Sequence, residues 1–166
     1  MIHKDNNQKR CALVVIADGF EETAVTIFLS VMRQAGLCVK SVGLTSGLIG
    51  SAHGVWLMPD LTLTDLDLLI NTTPISAVIL PEGRQSLSRL EADPRVHRLL
   101  RQVVAKRGQI ATSQEGLRVL RAAAMWDDEP EVDNGRGTLV LLREPGQSLE
   151  TFARDLVRRL KRPPRA

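Results

Sequence analysis

The run Cys11-Ala-Leu-Val-Val-Ile-Ala17 carries no charged or strongly polar side chain. Along a strand, successive side chains point to opposite faces, so this strand has two apolar faces and both need cover. A parallel sheet enclosed between helical layers supplies that cover. Ile75–Leu80 reads as a second buried strand, and Cys38–Val42, Ile110–Ala111 and Thr138–Leu142 as others.

Helical stripes separate these runs. Glu21 and Glu22 suit the positive end of a helix, and Val25, Phe28, Leu29, Met32 and Ala35 follow at three- and four-residue spacing before Gly36. Asp93-Pro94 opens a second helix, with Asp93 as N-cap, striped by Val96, Leu99, Leu100, Val103 and Val104 and closed by Gly108. Leu117, Leu120 and Ala124 stripe a third, and Leu149, Phe152, Ala153, Leu156, Val157 and Leu160 a last one. Gly43–Pro59 has glycines at 43, 47, 50 and 54 and reads as a small β-hairpin excursion. No Lys-Ser/Thr pair follows them, so a phosphate loop is not expected. Leu61–Pro74 is irregular and yields no element, while Asp127–Gly137 is an acidic, turn-rich connection. The expectation is one α/β domain over residues 11–160, flanked by a polar N-terminus (1–10) and a basic C-terminus (161–166) that frays.

Charge and composition exclude some functions. The net charge of +3 gathers in Arg154, Arg158, Arg159, Lys161, Arg162 and Arg165, which suit the solvated face and C-terminal end of a last helix. Aromatic residues are Trp56, Trp126, Phe20, Phe28 and Phe152, too few for base-stacking platforms, so nucleic acid is not an expected partner. No apolar run approaches the ~18 residues of a membrane span. Met1–Arg10 has no apolar core of a secretory signal, and a reduced, cytoplasmic location is the default expectation. Cys11 and Cys38 lack zinc spacing and are too few for a disulfide framework, so they read as small core residues. No metal and no cofactor is expected.

The stretch Gly108–Leu120 decides the chemistry. It passes from strand to helix through Thr112-Ser113-Gln114-Glu115, the layout of a nucleophile elbow, in which a Ser or Cys projects from a strained turn. Ligands of parallel sheets bind at the carboxyl ends of the strands. Here those ends are Asp18–Glu22, Pro81–Arg84, Ser113–Gly116 and Arg143–Gly146. The candidate pocket residues are therefore Glu21, Glu22, Glu82, Gly83, Ser113, Gln114, Glu115 and Arg143. Ser113 is the one candidate nucleophile, but it needs a base, and His3, His53 and His97 have no evident route to it.

In order along the chain, several segments resemble the ThiJ/PfpI superfamily, which is related to class I glutamine amidotransferases. They are Ala17-Asp18-Gly19-Phe20-Glu21-Glu22 with Val31–Gly36, Gly50–Val55 with Pro59-Asp60, Leu80-Pro81-Glu82-Gly83, Ile110–Leu120 and Arg143-Glu144-Pro145-Gly146. The resemblance implies a flavodoxin-like three-layer sandwich and a homodimer. It also places the family's nucleophilic cysteine at Gln114 and the acidic partner at Ala24, and no His lies between Ala124 and Asn134, where the family carries one. An amide nitrogen is no useful nucleophile, because its lone pair is delocalised into the carbonyl. The amides of Gly83 and Glu115 could still form an oxyanion hole, but the Glu82 and Glu115 carboxylates would oppose charge there. The expectation is a pseudoenzyme-like member, with a stress-related role, binding a small ligand or protein partner at the old pocket. The alternative is a cryptic esterase or amidase using Ser113 or a pocket carboxylate.

Overall fold

The computed structural model describes residues 10–125 and 140–162. β1 (Cys11–Ile16) leads into α1 (Glu22–Gln34), β2 (Cys38–Gly43) and the short strands β3 (Ile49–Gly50) and β4 (Trp56–Leu57). After β5 (Leu61–Thr62) and α2 (Leu63–Leu69) come β6 (Ile75–Leu80), α3 (Arg84–Ala92) and α4 (Pro94–Ala105). β7 (Gln109–Thr112), α5 (Leu117–Ala122), β8 (Val140–Leu142) and α6 (Leu149–Lys161) complete the order. The main sheet is wholly parallel, in the order β5-β2-β1-β6-β7-β8, and β3 and β4 pair antiparallel as the expected hairpin.

Alternation along β1 divides the core. Ala12, Val14 and Ile16 face α1 and α6, where Val25, Phe28, Met32, Phe152 and Leu156 pack, and the Phe28 and Phe152 rings meet edge to face at 5.7 Å. Leu13, Val15 and Ala17 face the layer made by Leu66, Leu87, Leu90, Leu99, Leu100 and Leu120. This is the three-layer α/β sandwich expected from the two-faced strand. Asp93 caps α4 as read from the sequence, its carboxylate accepting from the Arg95 amide at 2.8 Å, and Arg95 holds that carboxyl below its usual range.

Three elements, β5, α2 and α3, escaped the sequence reading. Leu61–Pro74 is not irregular throughout: Thr62 Oγ1 accepts from the Asp65 amide at 3.1 Å and Asp65 Oδ2 from the Thr62 amide at 2.9 Å. This reciprocal capping box starts α2, and the Thr62-x-x-Asp65 spacing was its signal. α3 follows Gly83 directly, and its polar composition hides a narrow stripe of Leu87 and Leu90. Of Thr138–Leu142, the strand is seen from Val140; Thr138, Leu139 and the acidic connection 127–137 lie outside the described residues, as do 1–9, Trp126 and 163–166.

The cysteines also require a correction. Cys11 and Cys38 are register partners at the starts of β1 and β2, with Cα atoms 4.7 Å apart, and they form a disulfide. Their separation of 27 residues conceals this, because the β1–α1–β2 crossover sets which residues become neighbours. Disulfides are uncommon in a reducing cytosol, so cysteine usage no longer supports a cytoplasmic location. Among the described residues, no helix is long and apolar enough to cross a membrane. Cross-linking a loop of this size stabilises by roughly 2–4 kcal/mol. Urea unfolding with and without reductant should show a loss of that order; identical midpoints, with the thiols titrated as free, would contradict it.

Candidate functional site

The cleft is assembled where the ends of β1 and β6 are tied to the hairpin. The Gly19 amide donates to the Gly50 carbonyl at 2.8 Å, the Ala52 amide to the Phe20 carbonyl at 2.8 Å, and the Gly50 amide to Asp18 Oδ1 at 3.0 Å. From the β6 side, the Glu82 carbonyl accepts from the Glu21 amide at 2.9 Å. Gly83 makes this approach possible. Its φ is +129°, and a Cβ there would lie 2.6 Å from the Gly19 carbonyl oxygen. The buried Ser86 of α3 then accepts from the Ala17 amide at 3.0 Å, closing the end of β1.

The resulting cleft, about 720 Å³, is lined by Gly19, Glu21, Glu82, Gly83, Glu115 and Arg143, with Thr23, Ala52, Arg84, Gln85 and Leu149. Glu82 and Arg143 form an ion pair, and Arg143 Nε donates to the Gln147 carbonyl at 2.8 Å. The Glu82 charge is therefore compensated, contrary to the repulsive role foreseen for it. Glu115 stays exposed at the rim.

The elbow differs from a strained nucleophile turn. Ser113 has extended backbone (φ −97°, ψ 179°), and Gln114–Gly116 form one 3₁₀ turn leading into α5. Among the described residues, the non-glycine positions with positive φ are Arg107 and Ala124, so neither Ser113 nor Gln114 is held in the left-handed region. The turn lies flat on β7. A Cβ at Gly116 would fall 1.8 Å from Thr112 Oγ1, which itself donates to the Leu80 carbonyl at 3.0 Å.

The predicted residues consequently part company. Glu21, Glu82, Gly83, Glu115 and Arg143 meet at the cleft, whereas Gln114 is exposed and does not line it. Ser113 instead borders a separate void of about 10 Å³ beside Phe28, Phe152 and Arg143. Its Oγ is buried and has no hydrogen-bond partner. Neither described histidine serves it as a base: His97 Nε2 contacts the Glu91 carbonyl oxygen at 2.7 Å, and His53 is engaged at α1.

There the structure adds a grouping that the sequence reading missed. His53 Nδ1 lies 3.0 Å from Glu22 Oε1 and 3.9 Å from Glu21 Oε2. A hydrogen bond from the Glu22 backbone amide, helped by His53, holds the Glu22 carboxyl below its usual range. Nothing local in the sequence links positions 22 and 53. The bond between Ala52 and Phe20 brings them together.

Residues 10–130 match the DJ-1/PfpI family. The Parkinson disease protein 7 homolog of Danio rerio is 32% identical over 112 residues, which cover 67% of this chain and 58% of that relative. The match therefore spans less than two thirds of the relative's length. Drosophila melanogaster DJ-1beta has a TM-score of 0.76 at 23% identity, over 92% of this chain and 90% of its own. Toxoplasma gondii DJ-1, in its oxidised form, has a TM-score of 0.78 at 18% identity, over 92% and 91%. These two structures share the fold. With the family match covering most of the sequence, the chain belongs to the DJ-1/PfpI family.

Proposed function

We propose that this chain is a non-catalytic member of its family, with a stress-related role, which binds a small polar ligand at the cleft. The observation that supports this reading is the content of the elbow: an exposed amide, Gln114, stands where the family resemblance puts the nucleophile, and the adjacent Ser113 hydroxyl is buried without a base. Ala24, to which the resemblance assigns the acidic partner's position, is fully buried and offers only a methyl group. Covalent catalysis needs an activated nucleophile and a group to accept its proton. The cleft retains the means to bind, with the Glu82–Arg143 pair, backbone around Gly83 and the Glu21 and Glu115 carboxylates around an open volume. That lining favours a polar ligand with both donors and acceptors.

The protein acts as a homodimer in this reading. Leu48, Val55, Trp56 and Met58, in and around the hairpin, are all at least half exposed, with Trp56 at 66%. Exposed apolar residues clustered in this way mark contact surfaces.

Purified protein should show no turnover of methylglyoxal and none in an ester and amide substrate screen, and Gln114→Ala should change neither result. Hydrolysis that disappears in Ser113→Ala would overturn the reading in favour of a cryptic hydrolase. In sedimentation, the wild type should have twice the chain mass and Trp56→Lys should be monomeric at the same concentration. A monomeric wild type, or an unaltered dimer in Trp56→Lys, would refute this use of the hairpin.

A further inference from the structure

We propose that Glu21, Glu22 and His53 form a binding site for a divalent first-row transition ion, of the zinc, nickel or copper kind, at the mouth of the cleft. One imidazole nitrogen and two carboxylate oxygens, all within 4.8 Å of one another, converge there from the start of α1 and the hairpin. Ligand atoms bound to one such ion at about 2.0–2.2 Å lie about 3–4 Å apart. The observed separations of 3.0 Å and 3.9 Å from His53 Nδ1 already have that scale.

A second observation concerns the Glu22 carboxylate. Glu22 Oε2 is shielded from solvent with no partner at hydrogen-bond distance, although the side chain as a whole is 21% exposed and its other oxygen meets His53. A buried carboxylate oxygen without a partner is costly. A metal ion in place of the shared proton would compensate it, and would also neutralise two adjacent acidic side chains. The donor set selects the ion. Imidazole with carboxylate favours zinc, nickel and copper, whereas magnesium and calcium prefer sites made of oxygen alone.

The site is supported from both sides. Ser51 Oγ accepts from the amides of His53 (3.3 Å) and Val55 (2.9 Å), fixing the turn that carries the imidazole. The Glu82 carbonyl holds the Glu21 amide on the other side. Because Glu21 also lines the cleft, the ion would stand at its entrance and fasten the hairpin to α1. Three protein ligands would leave coordination positions for water or for a ligand's oxygen.

Calorimetric titration of the full chain, with the Cys11–Cys38 disulfide intact so that thiols do not compete, tests the site with Zn²⁺ and Mg²⁺. One Zn²⁺ should bind per chain, and Mg²⁺ should give no signal at the same concentration. His53→Ala and Glu22→Gln should each weaken Zn²⁺ binding by about tenfold or more, since even outer partners of metal ligands have effects of that size. His53 is 69% exposed, so its replacement leaves the core untouched. His3→Ala should bind as the wild type does. No Zn²⁺ binding by the wild type, equal affinity in His53→Ala, or loss of binding in His3→Ala would each overturn the proposal.

Discussion

The burial of β1 on both faces is the constraint on which the rest depends. Each large aliphatic side chain so enclosed contributes roughly 1.5–3 kcal/mol, less the entropy of ordering it. Every residue from Ala12 to Ile16 is at most 1% exposed. The strand can be neither shifted nor tilted without exposing one of its faces. Its carboxyl end is therefore a fixed platform, and Gly19, the first turn of α1 and the hairpin inherit that rigidity through backbone hydrogen bonds. The cleft is the space left between this platform and the ends of β6, β7 and β8.

At the elbow, the same close packing sets the course of the turn. Gly116 lets the turn settle onto Thr112 until only a hydrogen fits between them. Neither Ser113 nor Gln114 carries left-handed strain, and the Ser113 hydroxyl lies buried. Around the cleft, Glu82 and Arg143 satisfy each other across the strand ends.

Much of this was legible in the residues. The two-faced strand, the apolar stripes of α1, α4 and α6, the Asp93 cap and the glycine-spaced hairpin each reflect a local rule with a period or a required residue type. What stayed hidden depended on register or on polar helices. α3 and α2 are short, with narrow apolar stripes, and only the Thr62–Asp65 box announced one of them. The Cys11–Cys38 bond and the Glu22–His53 contact join positions about thirty residues apart, whose meeting is set by tertiary pairing and by no local spacing. The strand–turn–helix passage at Gly108–Leu120 was legible, but the absence of left-handed backbone at Ser113 and Gln114 was not. Strain in a turn is imposed by the surrounding packing and has no local signal in the residues.

The central claim is that the elbow holds no activated nucleophile. It is tested most directly by incubating the protein with a fluorophosphonate and with iodoacetamide, then mapping adducts by mass spectrometry across the peptide from Gly108 to Arg118. The account predicts an unmodified peptide with both reagents. A stoichiometric adduct on Ser113 that heat denaturation abolishes would contradict it.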